Sequence, residues 1–493
     1  MLKKIIISSV LLNLGVMLGR LSGFAREAVL AGSLGVSAEA DVAVLILSVP
    51  DLLVNILVGG ALSAALIPSL SDKSRDTKIF FIQALLFFTL LFIAVTFVLL
   101  MCVGSLVELL APGFSAYQSD LSIKGLSIVL WLIPLTVASG VVSAYLQADN
   151  RFFVPSLGTL VINITIIFGL FFIVTKDNSL SILAFFVILG GLLRLIMQYV
   201  AALNIDGRPR FCLTPWLIDR DLLKRYIQVA GAGSLILCFP VIARAFASIN
   251  GSGDVAEFSY ALKLVEFPLA LTVTFLSVVF FPRLARSFSD NLSLFGNLSV
   301  WGLRITFFLA SVSAVSMWVI SNSIANLVYG YGEMEIQAVE QVSRVFDIGI
   351  WSIVGMGITV FTAAIFNAAR DSKTPLIINV LTLFFLIASL YLGQNENNEQ
   401  IMFSLMLTYC FSGLFSLVCV FVMFKSLIIS VLEPRLLFWA VVNVLILYVS
   451  INNLVLHFQS DLGRLIVVIM CASFFCITTA FPIFYVEKKA RYR

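Results

Sequence analysis

Apolar residues run along this chain in blocks of about 20, the length a helix needs to cross a hydrocarbon core of about 30 Å, and polar residues collect between the blocks. Fourteen such blocks start near Ile5, Asp41, Phe80, Gly125, Phe153, Leu180, Tyr226, Val255, Val300, Val342, Thr374, Ile401, Leu436 and Leu465. The pattern predicts an all-α integral membrane protein with fourteen transmembrane helices and almost nothing left over for a soluble domain.

Internal repetition orders those spans. Leu62-Ser63-Ala64-Ala65-Leu66-Ile67-Pro68-Ser69-Leu70 closes the second span, and Leu276-Ser277-Val278-Val279-Phe280-Phe281-Pro282-Arg283-Leu284 closes the eighth. A weaker echo pairs Ala148-Asp149-Asn150-Arg151 and Pro155 with Ala368-Ala369-Arg370-Asp371 and Pro375. Six spans separate the members of each pair. An even separation implies parallel repeats about an axis along the membrane normal. The predicted organisation is an N-lobe over 1–205 and an amphipathic cytoplasmic linker over 206–225. A C-lobe over 226–430 follows, then spans thirteen and fourteen with a basic tail over 431–493.

Composition agrees with the pattern, because 60% hydrophobic and 12% charged residues describe a polytopic membrane protein and not a soluble one. Charge adds orientation. Most of the 31 basic residues fall in loops on the amino-terminal side of the membrane, whereas the opposite loops carry Lys124, Lys176 and Arg464. Lys and Arg in short loops mark the cytoplasm, so both termini are expected there, consistent with an even number of spans. The opening Met1-Leu2-Lys3-Lys4 and its apolar run lack a small-residue cleavage site and are expected to persist as the first helix.

Several chemistries are excluded. The chain has no phosphate-binding loop of the GxxxxGK[ST] kind and no room for a nucleotide-binding domain, so it does not hydrolyse ATP. The one histidine, His457, rules out a His-based cluster, and the seven cysteines show no disulfide or metal spacing. No cofactor and no nucleic-acid partner are expected.

What remains is charge at membrane depth, where a cation costs roughly 2.5 kcal/mol even on insertion scales and therefore faces a bundle interior or a wet cavity. Arg20, Arg26, Arg194, Arg244, Lys263, Arg304 and Arg344 fall inside or at the ends of spans. Arg26 lies about 240° around the helix from Arg20, whereas Glu27, seven residues on, shares the Arg20 face. Asp51, beside Pro50 in span two, is placed to pair with Arg20 or Arg26. Lys263 and Glu266, three apart, either satisfy each other or serve a ligand. Arg244 needs a partner from another helix or a ligand. Arg194, Arg304 and Arg344 read as snorkelling residues near span ends.

These residues also carry a resemblance. Gly19-Arg20-Leu21-Ser22-Gly23-Phe24-Ala25-Arg26-Glu27-Ala28, then Ala40-Asp41, Pro50-Asp51-Leu52-Leu53, Gly60-Ala61-Leu62-Ser63 and Ile67-Pro68, resemble the opening of the MurJ/MviN family of lipid II flippases. Ala111-Pro112-Gly113-Phe114, Asn150-Arg151-Phe152, Asn163, Glu266-Phe267-Pro268, Trp301-Gly302-Leu303-Arg304 and Lys373-Thr374-Pro375 continue it in order, so that it covers residues 1 to about 380. The resemblance implies two six-helix lobes in a V around a central cationic cavity, plus two appended helices, in the multidrug/oligosaccharidyl-lipid/polysaccharide exporter superfamily. It implies a bacterial inner-membrane flippase that moves lipid II, the undecaprenyl-diphosphate-linked peptidoglycan precursor, between leaflets by alternating access for cell-wall synthesis and cell shape. Energy would come from membrane potential or a monovalent ion, and cell-wall synthesis proteins are candidate partners.

Carried over by position, the resemblance assigns Arg20, Arg26, Glu27, Asp41, Lys263 and Glu266 to the substrate cavity. Two departures stand out. Val54, Asn55 and Gly59 occupy the places of the family's arginine pair and following acid on span two, and Lys263 replaces an arginine. Asn55 is kept as a cavity residue, and Arg244 is expected to supply part of the missing positive charge. The rival readings are a flippase for another polyprenyl-linked oligosaccharide and a non-transporting scaffold for wall synthesis. A cation-drug exporter would show buried carboxylates in excess of arginines, the reverse of this chain.

Overall fold

The computed structural model describes residues 2–57, 61–72, 76–173, 179–206, 216–271, 273–393, 397–425 and 434–490. Their regular structure is entirely helical. The first half comprises α1 (Leu2–Leu34), α2 (Ala38–Leu57), α3 (Ala61–Leu70), α4 (Thr77–Met101), α5 (Val103–Leu110), α6 (Ala116–Val129), α7 (Leu132–Ala148), α8 (Phe153–Ser156), α9 (Gly158–Ile173) and α10 (Ser179–Asp206). The second comprises α11 (Arg220–Asn250), α12 (Asp254–Leu271), α13 (Val273–Asp290), α14 (Leu292–Val319), α15 (Ser321–Tyr329), α16 (Ile336–Gly349), α17 (Ser352–Ala368), α18 (Lys373–Leu392), α19 (Asn398–Met423), α20 (Pro434–Val455) and α21 (Asp461–Ala490).

Each of the fourteen predicted spans coincides with one helix or a broken pair. Among the described residues, seven helical segments are long and apolar enough to cross a membrane, and α16 with α17, bent by 47° at their junction, makes an eighth. The sequence blocks hid the breaks, because an apolar run continues through them: at Cys102 between α4 and α5, at Leu130–Trp131 between α6 and α7, and at Ile350–Trp351 between α16 and α17.

The repeat is visible in geometry. α2 and α3 correspond to α12 and α13, the short α5 to α15, and the α6–α7 pair to α16–α17. The helix ends at Ala148 and Ala368 close with the same cap. Asn150 (φ 61°) and Arg370 (φ 60°) both take the left-handed conformation. Asn150 N–H donates to Gln147 O at 3.0 Å and Arg151 N–H to Leu146 O at 2.8 Å; Arg370 N–H donates to Asn367 O at 3.1 Å and Asp371 N–H to Phe366 O at 2.9 Å. This is the Schellman closure, which satisfies carbonyls orphaned at a helix end.

The chain divides into two compact units, Met1–Ser259 with Gly332–Met334, and Tyr260–Tyr331 with Glu335–Arg493. The sequence reading placed the division at 206–225, of which 207–215 lie outside the described residues. By packing, α11 belongs to the first unit, against α2, α3 and α5, and the division falls within α12. The core of the first unit joins α3, α4, α7 and α10 through Leu66, Phe88, Val141 and Ala202. That of the second joins α13, α14, α17 and α19 through Leu284, Phe295, Phe361 and Val420.

Lipid tails are as apolar as leucine, so close contact between helices has to supply the cohesion. α1 obtains it from a glycine stripe at Gly15, Gly19 and Gly23. A Cβ at Gly15 would overlap Ser156 Oγ, one at Gly19 would stand 3.2 Å from Thr159 Cβ, and one at Gly23 would stand 3.3 Å from Asn163 Nδ2. The stripe lays α1 against α8 and α9 and fixes what Arg26 can reach.

Candidate functional site

Arg26 is buried in the first unit with its terminal nitrogens fully engaged. Nη1 donates to Asp51 Oδ2 and to Asn163 Oδ1, each at 3.3 Å; Nη2 donates to Glu27 Oε1 at 2.7 Å and to Asp51 Oδ2 at 3.3 Å. α1, α2 and α9 each contribute to this cluster. Asn163 is aimed by its own amide, whose Nδ2 donates to Gly19 O at 3.2 Å and Ser22 Oγ at 3.1 Å. The positive charge of Arg26 is therefore spent on two carboxylates. Asp51 is the open member: its side chain is 49% exposed, against 8% for Arg26 and 7% for Glu27.

The sequence placed Glu27 on the Arg20 face and left Asp51 to either arginine. In the structure Arg26 pairs with both carboxylates, because its long side chain turns back to the neighbouring Glu27 while also reaching α2. Arg20 is partly buried on α1. Asn55 is exposed, and the Val54 side chain and Gly59 lie outside the described residues.

Asp41, expected in the cavity, is fully buried and holds helix ends together. Oδ2 accepts from Gly253 N–H at 2.6 Å and from Gln118 Nε2 at 3.0 Å, and Oδ1 accepts from Ala256 N–H at 2.8 Å. A carboxylate on α2 thus caps the amino end of α12, satisfying donors orphaned there and opposing the positive end of the helix dipole. Gly253 meets it with φ +95°, a left-handed conformation that favours glycine. Gln118 is doubly used, since its Oε1 also accepts from Ser115 N–H in the capping box that starts α6.

Arg244, on α11, donates through Nε to Ser259 Oγ at 3.1 Å and forms no ion pair with a carboxylate among the described residues. It is the single charged side chain on a narrow cleft lined by Leu45, Ser48, Val49 and Leu52 of α2, Leu110 and Ala111 at the end of α5, Val241 and Val255. The cleft has room for about one water molecule. Arg244 therefore shares a cleft with α2, whose lining on that helix runs from Leu45 to Leu52.

In the second unit, Lys263 Nζ meets Glu266 Oε2 at 2.9 Å, with both side chains about a third exposed. Arg344 pairs with Glu399 at 3.1 Å. Arg194 departs from the snorkelling expectation: it lies well inside α10, and its Nε is buried beside Gly158 with no hydrogen-bond partner. Among the described residues no group of three or more His, Cys, Asp or Glu side chains could hold a metal ion.

A family model described as lipid II flippase MurJ matches residues 30–472. The chain belongs to the MurJ family. A probable lipid II flippase MurJ of Buchnera aphidicola subsp. Schizaphis graminum is 28% identical over 391 residues, covering 76% of this chain and 75% of the relative. The lipid II flippase MurJ of Burkholderia cenocepacia is 26% identical over 379 residues, covering 73% and 72%. A solved lipid II flippase MurJ in an inward closed conformation gives a TM-score of 0.82 at 20% identity, covering 97% of this chain and 99% of that one. An inward-facing multidrug resistance MATE transporter of the MOP superfamily gives 0.72 at 14% identity, covering 83% and 95%. The MurJ fold thus extends beyond the sequence resemblance, to the last helices, where the sequence reads only as generic apolar spans.

Proposed function

We propose that this MurJ-family chain flips lipid II from the inner to the outer leaflet of the bacterial cytoplasmic membrane by alternating access, with both termini in the cytoplasm. The match of the MurJ family model across residues 30–472 carries the reading. The physical problem of such transport is a head group of sugar, peptide and diphosphate that cannot cross hydrocarbon unaided. A polar interior removes that cost, and the charged groups at span depth supply one.

Their division of labour follows from pairing. Arg26 is neutralised by Glu27 and Asp51, and Lys263 by Glu266. Among the described residues Ser259 holds Arg244 Nε and nothing holds its terminal nitrogens, so it is the group best prepared to take a phosphate oxygen, through the planar fork that makes arginine suited to this task. Because the cleft is narrow, that contact requires α2 and α11 to part during the cycle. Arg20 adds positive charge on α1. Asp41 acts by fixing the start of α12. Energy comes from membrane potential, about 2.3 kcal/mol per charge per 100 mV, or from a monovalent cation.

The test is complementation of a bacterium depleted of its own lipid II flippase. The parent chain restores growth, and Arg244→Ala and Arg20→Ala do not, at matched membrane levels. Absence of rescue by a well-expressed parent would redirect the reading to another polyprenyl-linked glycan or to a scaffold for wall-synthesis proteins.

A further inference from the structure

Asp51 stands apart from the other carboxylates at span depth in the first unit. It lies roughly 20 Å along α2 from Ala38, counting 1.5 Å per residue, within the second predicted span. Both of its hydrogen bonds from Arg26 go to one oxygen, Oδ2. Its Oδ1 has no partner among the described residues, and half the side chain is exposed. An open anionic oxygen at this depth cannot face lipid tails and therefore faces a wet interior. Arg26 cannot swing away to serve a ligand anion, because Glu27 and Asn163 hold the other N–H groups of its terminal nitrogens.

We infer that Asp51 is a specificity-determining contact for the hydrogen-bond-donating part of the head group, its saccharide hydroxyls and peptide N–H or ammonium groups, and not for its diphosphate. The inference rests on the flippase reading and adds which moiety is read where. A carboxylate with one oxygen pinned and the other open accepts donors and repels a phosphate. Pinning by Arg26 orients Oδ1 in advance, which lowers the entropic cost of forming that bond. Phosphate recognition then falls to Arg244, which forms no ion pair among the described residues, and donor recognition to this wall of α2.

The experiment compares two ligands on the purified full chain in detergent: lipid II, and undecaprenyl diphosphate, which lacks sugar and peptide. For the parent, lipid II binds more tightly than undecaprenyl diphosphate. Asp51→Asn leaves Arg26 with Glu27 and Asn163, and is expected to weaken lipid II binding about tenfold, the loss of one charge-assisted hydrogen bond, while undecaprenyl diphosphate binding stays within about twofold. If Asp51→Asn does not fold, Asp51→Glu, which keeps the charge but displaces it, gives the same comparison. Equal weakening of both ligands, no change in either, or weakening of undecaprenyl diphosphate alone overturns the inference. A parent that binds both ligands equally also overturns it while leaving the flippase reading in place. A parent that binds neither sinks that reading, and this inference with it.

Discussion

Arg26 and Asp51 meet as a fork on a single oxygen: Nη1 and Nη2 each donate to Asp51 Oδ2 at 3.3 Å, joining α1 to α2 inside the first unit. The contact settles which α1 arginine takes Asp51 and makes Arg26 the centre of an ion-pair cluster.

Removing the cation should therefore destabilise more than removing the cluster. Breaking a buried pair from one side costs roughly 3 kcal/mol or more, whereas replacing both partners by apolar side chains is far milder. Arg26→Leu is expected to lower the thermal midpoint of the detergent-solubilised protein, and Arg26→Leu with Glu27→Leu to recover part of the loss. Additive losses in this pair of variants would mean that the two side chains do not depend on each other.

Asp41 caps α12 from another helix, so its removal should loosen a particular place. Asp41→Ala is expected to cost about 2 kcal/mol, the upper range for a lost helix cap, and to speed amide exchange at Gly253 and Ala256. Unchanged exchange at those two amides would contradict the capping role.

The glycine stripe makes a compensatory prediction. Gly15→Ala forces a methyl group onto Ser156 Oγ and should cost about 1–3 kcal/mol, as overpacking does. Ser156→Gly in the same chain should restore most of the thermal stability. Failure of the second substitution to rescue the first would place the contact elsewhere.

Arg370 offers a gain. Its left-handed conformation costs an L residue about 1–2 kcal/mol, which glycine avoids at the same cap. Arg370→Gly is expected to raise the unfolding midpoint, with a net gain below about 1 kcal/mol because glycine also frees the unfolded chain. A lower midpoint would show that the Arg370 side chain contributes more than its backbone costs.

Much of this was legible from residue order, for a physical reason: a bilayer demands long apolar runs, and these survive in composition whatever the helices pack against. The repeat was legible at Leu62–Leu70 and Leu276–Leu284, and faintly at Asn150 and Arg370, where the cap imposes a backbone shape on unlike side chains. Helix breaks at Trp131 and Trp351 were not, since an apolar sequence permits a break without announcing it. Charged residues were found as candidates, and the Lys263–Glu266 pair and the Asp51 contact with an α1 arginine were among the expected pairings, but the Arg26–Glu27 pair was not. Periodicity puts Glu27 on the Arg20 face, and it cannot foresee a guanidinium that folds back to its neighbour and across to α2. The role of Asp41 was hidden likewise, because its partners are backbone N–H groups at Gly253 and Ala256, more than 200 residues away in sequence.

The most direct test of the flippase account is the amount of lipid II reachable from outside the cell by a membrane-impermeant probe, in cells depleted of their own flippase and expressing this chain. The account predicts that externally accessible lipid II returns on expression of the parent and stays low with Arg244→Ala. Lipid II that accumulates only on the inner side, while the parent chain is present in the membrane at normal levels, would contradict it.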